Sequence, residues 1–148
     1  MTRQILVPID GSESAAKALE HACLLQRADG ATIHLLHIPE VPVAQDALGR
    51  KTGATPLDYT PARAREQGEN LLRQAWQATG SHDGSVRFLV EDGHPAQVIV
   101  AQARSLNIDL IVMGSRGLSD LRGLMVGSVS HKVTHVAPCQ VITLHVPE

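Results

Sequence analysis

The chain has 148 residues, enough for one domain to bury roughly 68–70% of its unfolded surface without a disulfide or metal staple. Its 13 Lys and Arg against 15 Asp and Glu give a net charge of -2, which leaves no electrostatic footprint for nucleic acid or an anionic membrane. Tyr59, Trp76 and Phe88 are its aromatic residues, too few for a base-stacking platform.

Gln4 to Ile9 reads as a buried strand ending in Pro8-Ile9-Asp10-Gly11. Ser12 or Ser14 can cap the helix that follows, whose face runs through Ala15, Leu19, Ala22 and Leu25/Gln26 until Asp29-Gly30 breaks it. Ala31 to Ile38 is the second strand, stopped by Pro39, and a right-handed crossover is the default for such a βαβ unit. Residues 39–60 hold Pro39, Pro42, Gly49, Gly53 and Pro56 without sustained periodicity, a connection long enough to suggest a functional loop. Thr60-Pro61 reads as cap and first residue of a second helix through Ala64, Gly68, Leu71/Leu72, Ala75 and Thr79 to Gly80. Val86 to Val90 is the third strand, and after Gly93-His94-Pro95 a third helix carries Val98, Ile99, Gln102 and Ala103.

Ile108 to Met113 is the fourth strand, an apolar β-branched run that stops at Gly114. A loop with Gly114, Gly117 and Gly127 follows, then Ser128 and Ser130 open a helix with Val129, Val133 and Val136 at helical spacing. Pro138 precedes a last strand from Cys139 to Val146. Strand, glycine loop and helix make an anion site, because glycine lets a phosphate approach main-chain N–H groups and the helix adds its own unpaired N–H groups and dipole.

Alternating strands and helices, with strands that are nearly continuous apolar runs, define a doubly wound α/β fold with a parallel sheet covered on both faces. Ligands bind in that class at the carboxyl ends of the strands, where strand order reverses. Asp10 and Gly114 end the first and fourth strands, so neighbouring strands would bring both to one crevice. No repeat or domain boundary interrupts residues 1–148, which read as a single domain. Cys23 and Cys139 lie far apart in apolar runs, as reduced core thiols of a cytoplasmic protein would. No apolar run has spanning length, and the N-terminus enters a strand without a secretory pattern, which also points to the cytoplasm.

No GxxxxGK followed by Ser or Thr occurs, and the first strand end has only Asp10-Gly11-Ser12 where a dinucleotide fingerprint needs GxGxxG. What stands here is Gly114-x2-Gly117-x9-Gly127-Ser128, with MGSRG, GSVS and VPIDGS around it. Over the whole chain these residues resemble the universal stress protein family, in its ATP-binding branch. The resemblance implies a five-stranded parallel sheet in the order 3-2-1-4-5 flanked by four helices, the adenine nucleotide alpha hydrolase-like fold, holding ATP or another adenine nucleotide. It implies that Pro8, Ile9 and Asp10 line the adenosine end and that Ile38 packs on adenine. Met113, Gly114, Ser115, Arg116 and Gly117 would wrap ribose and phosphates, and Gly127, Ser128, Val129 and Ser130 would hold the phosphates.

Plainer roles stand beside these. The glycines can be turn punctuation, Asp10 and Ser128 can be helix caps, and Arg122 reads as a solvated surface residue while Arg116 could fork onto phosphate oxygens. His131 and His135 are spaced i, i+4, but no third ligand is evident; His131 could instead touch a phosphate. His34 and His37, an odd number apart on a strand, point to opposite faces. No nucleophile has an evident base partner, so a nucleotide-binding regulator with at most slow ATP hydrolysis is expected, with an ATP hydrolase, a nucleotide-using transferase or a nucleotide-independent dimer as the alternatives. Mg²⁺ could accompany ATP, though no all-carboxylate cage is present. The last strand carries no Lys and no internal Pro, and in the resembled order it lies at the sheet edge, where an uncovered strand invites pairing. The resemblance likewise implies a homodimer through that strand, two-fold and antiparallel.

Overall fold

The computed structural model describes residues 2–40, 60–81, 83–115 and 128–147. In chain order its elements are β1 (Gln4–Pro8), α1 (Glu13–Asp29), β2 (Thr32–His37), α2 (Pro61–Ala78), β3 (Val86–Val90), α3 (Pro95–Ser105), β4 (Leu110–Gly114), α4 (Ser128–Val136) and β5 (Gln140–Leu144). The long connection after Pro39 falls, apart from its ends, outside the described residues.

The helices begin where cap chemistry allows. Ser12 is the cap of α1, its hydroxyl accepting the Ala15 N–H at 3.2 Å, while Ser14 lies inside the first turn. Gly30 ends the helix in the left-handed region, donating its N–H to Gln26 O at 2.7 Å. Thr60 caps α2 by accepting the Arg63 N–H at 3.1 Å, with Pro61 as first helical residue.

The strands form one five-stranded sheet in the order β3-β2-β1-β4-β5, every neighbouring pair parallel. Ile5, Val7, Ile33, Leu35, Leu110 and Val112 face α1 and α2, whose Leu19, Cys23, Leu72 and Trp76 complete one core. Leu6, Leu36, Ile111 and Met113 face the opposite way, against Ile99 and Ala103 of α3 and Val133 of α4. Because both faces are covered, the central strands carry apolar residues on both sides, with Ile5, Leu6 and Val7 of β1 and Leu110 to Met113 of β4 apolar without alternation. Each fully buried Leu or Ile contributes about 1.5–3 kcal/mol relative to exposure, and the sheet centre concentrates them. The edges are thinner: β3 and β5 are largely half-buried or exposed.

From β1 the chain winds outward to β2 and β3, then returns to the other side of β1 as β4 and ends at β5. The order therefore reverses between β1 and β4, and the crevice of the fold opens at their carboxyl ends.

Candidate functional site

One wall of the crevice is the β1–α1 junction. Ile9 continues β1 by one residue, donating its N–H to Leu36 O at 2.8 Å, and its carbonyl accepts His37 Nδ1–H at 2.8 Å. Asp10 then turns the chain: its Oδ1 accepts the Ser12 N–H at 2.9 Å. That bond places the carboxylate at the amino end of α1, where the helix dipole favours negative charge. Asp10 is thus a turn-forming residue and also a lining residue of the cleft.

The opposite wall is built from β4 and α4. Gly114 ends β4 directly against α1: a Cβ there would lie 2.8 Å from the carbonyl carbon of Ser14. The glycine is required by this close approach of helix and strand, a reason separate from any phosphate. Ser115 donates its N–H to Leu144 O at 2.8 Å, and its own carbonyl accepts the Ser130 hydroxyl at 3.0 Å. That second bond ties the end of β4 to the first turn of α4. Ser115 Oγ also lies 3.5 Å from His145 Nδ1, just beyond β5.

Between these walls is a cavity of about 310 Å³. Pro8, Ile9 and Asp10 line it from β1, Ile38 from the end of β2, Met113, Gly114 and Ser115 from β4, and Val129 and Ser130 from α4. Ser128 is exposed at the start of α4 and is not among the lining residues. Arg116, Gly117, Arg122 and Gly127 lie outside the described residues. Ser12, Ala15, Leu36, His37, Glu40, Pro95 and Ile99 also line the cavity, though the sequence does not mark them as site residues. Helical periodicity marks Ile99 as apolar-face but not as the end of that face nearest the crevice, whereas Ser12 and His37 adjoin residues the motif does mark.

Chemically the cavity combines apolar lining, from Leu36, Ile38, Ile99 and Met113, with a few polar groups, Asp10, Ser12, Glu40, Ser115 and Ser130. Two helices, α1 and α4, present their first turns to it, which suits an anionic group. Among the described residues, no group of three or more His, Cys, Asp or Glu is placed to hold a metal ion. The His131 and His135 rings meet edge to face at 4.6 Å on an exposed stretch of α4. His34 is buried in the sheet with Nε2 2.7 Å from Gln4 Oε1; burial first, then the Arg87 charge, pulls its pKa below the ordinary value. Burial, and secondarily Asp109, pushes the Cys139 thiol up, and both cysteines are free. No helix of the described residues is long and apolar enough to cross a membrane.

The fold and crevice define the class: a doubly wound α/β protein with its cleft at the β1/β4 reversal. Within that class the chain belongs to the universal stress protein family, whose sequence model matches residues 1–145. It is 32% identical over 150 residues to the universal stress protein YxiE of Bacillus subtilis, covering 96% of this chain and 98% of that protein. A universal stress protein solved in complex with cAMP superposes with a TM-score of 0.67 at 24% identity, over 97% of each chain. A family member from Arabidopsis thaliana with AMP bound gives a TM-score of 0.65 at 20% identity, over 98% of this chain and 92% of that one.

Proposed function

We propose that this chain is an ATP-binding universal stress protein, a single domain over residues 1–148 that acts in the cytoplasm as a nucleotide-binding regulatory homodimer with at most slow hydrolysis. The observation that carries the reading is the cleft: about 310 Å³, lined by Leu36, Ile38, Ile99 and Met113, with Asp10 on one wall and Ser115, Ser130 and the α4 amino end on the other. That volume is at the lower end of the range for small-molecule sites, and apolar lining with few polar groups is their usual chemistry. Adenine suits the apolar lining beside Ile38, ribose suits the Asp10 carboxylate, and phosphates suit the α4 end and the Gly114-to-Gly127 loop. The solved relatives with cAMP and with AMP support an adenine nucleotide as the ligand class. Asp10 and Glu40 are the carboxylates among the cleft-lining residues that could hold a Mg²⁺ ion arriving with ATP.

The test is the nucleotide released on denaturing the purified protein, with Gly117→Val in the glycine loop as control. Co-purified ATP in the native protein and its loss in the variant is the expected result. ADP or AMP alone moves the reading toward an ATP hydrolase or nucleotide-using transferase, and a protein that carries no nucleotide and ignores added ATP refutes it.

The homodimer is proposed through β5. This strand bonds to β4 on one side and ends the sheet order on the other, with Val141, Ile142 and Leu144 only half-buried. A second copy paired antiparallel along it would cover the edge. Ile142→Pro should run as a monomer in sedimentation while keeping its far-ultraviolet circular dichroism; a dimer that persists places the interface elsewhere.

A further inference from the structure

The β1–β2 register dictates which bond should follow the last rung of the ladder. In a parallel pair, a residue donates its N–H to one strand neighbour and receives at its carbonyl the N–H two residues further along the same neighbouring strand. Ile9 donates to Leu36 O at 2.8 Å, so the Ile9 carbonyl is due the N–H of Ile38. That backbone bond is absent from the described residues. The imidazole of His37 takes its place, with Nδ1 at 2.8 Å from Ile9 O. A carbonyl oxygen only accepts, so Nδ1 carries the proton. The consequence is twofold: Ile9, the residue before Asp10, stays anchored, and the Ile38 N–H is released from the ladder at a residue that lines the cleft.

The imidazole has a fitted seat. Gly68 lies in the interior of α2, buried, where glycine is less favourable than alanine. A Cβ on it would be 2.9 Å from His37 Cδ2 and 3.2 Å from the Val90 methyl carbons. Gly68 does not line the cleft, and the Cδ2 it accommodates lies across Cγ from the Nδ1 that bonds Ile9, so the two contacts hold the ring from opposite sides.

We propose that His37 is a positioning residue of the cleft, ending the β1–β2 ladder one rung early so that Ile9 and Asp10 are held and the Ile38 N–H is left to a ligand, and that Gly68 keeps its ring in that pose. The inference deepens the nucleotide reading and depends on it for the affinity measurement alone. The variants are His37→Leu, which loses the donor; His37→Asn, whose side-chain amide nitrogen stands where Nδ1 stood; Gly68→Ala; and Gly68→Ala combined with His37→Leu.

Two measurements are made on each. In the ligand-free protein, amide exchange at Ile38 is fast for the native chain and for His37→Asn. It slows by about tenfold or more in His37→Leu, where the missing rung can close. In ATP titrations, His37→Leu weakens binding about tenfold, His37→Asn restores it to within about threefold, and Gly68→Ala weakens it several-fold. The double variant binds no more weakly than His37→Leu alone, because Gly68→Ala acts through a ring no longer there. An Ile38 amide already protected in the native chain, or unchanged by His37→Leu, overturns the proposal. So does a double variant whose loss is the product of the two single losses, since a clash with Val90 would weaken both backgrounds equally. A native chain that binds no ATP refutes the nucleotide reading instead, and the exchange result still decides the role of His37.

Discussion

The two ends of the sheet are built from the same strands and treated in opposite ways. At the amino end, side chains tie the strand starts together. Asp109 exchanges two bonds with Gln4, its Oδ2 accepting the Gln4 N–H at 2.8 Å and its N–H donating to Gln4 O at 2.9 Å. Gln26, buried on α1, donates Nε2 to Ala31 O at 2.9 Å and to Ser85 O at 2.8 Å, closing the starts of β2 and β3 together. Arg3 and Asp29 add an ion pair at the surface. At the carboxyl end the bonds of Asp10, Ser12, Ser115 and Ser130 fix the frame of a crevice without filling it. One end is a closed seam and the other a prepared opening, which is why function is sought at the second.

The largest effect should come where the opening and the core meet. Gly114→Val drives a side chain into the Ser14 backbone, so α1 must move off β4. Overpacking of this kind against main chain costs about 3 kcal/mol. The urea midpoint should fall accordingly and nucleotide binding should be lost with it. A midpoint unchanged from the native chain would show that α1 and β4 are less tightly apposed than their geometry implies.

Gln26→Leu tests the seam. It removes the side-chain donor from the buried Ala31 carbonyl, while Ser85 O keeps the Ile33 N–H at 3.0 Å, at a cost of about 1–3 kcal/mol. Affinity for ATP in the folded protein should stay within about twofold, because the seam is a strand's length from the cleft. Loss of stability and of affinity together in this variant would erase the distinction between the two ends.

The sequence is a good guide to this molecule where a pattern repeats and a poor one where a single side chain decides. Apolar runs separated by helical periods locate every strand and helix, since burial on both faces of a parallel sheet leaves that mark. Strand ends are less legible. Ile38 looks like the last residue of the second strand because it is apolar, yet β2 ends at His37, whose side chain takes the carbonyl the next rung needed. Likewise Ile108 and Asp109 precede β4, the Asp109 carboxylate being turned to Gln4. Gly114 is marked by the motif as a loop glycine, but the contact that demands it is the approach of Ser14 on α1, five elements earlier in the chain. Pro95 and Ile99 line the cleft because α3 packs beside it, a tertiary fact without a local signature.

The smallest expected effect belongs to the seam and depends on pH. His34 is 2% exposed, donates its Nε2–H to Gln4 Oε1, and leaves Nδ1 without a partner among the described residues. Burial and the neighbouring Arg87 charge both disfavour its protonated form, so its pKa in the folded chain lies below the ordinary 6.5. As pH falls through about 6.5 the unfolded chain takes up this proton first, and stability falls with it until the folded-state pKa is also passed. The slope contributed by one proton is at most about 1.4 kcal/mol per pH unit. Urea midpoints measured across that window should fall more steeply in the native chain than in His34→Gln, whose neutral amide can still meet Gln4. Equal slopes would assign the acid sensitivity to other groups and would show that the seam tolerates a charge beside Arg87, making it less closed than its hydrogen bonds suggest.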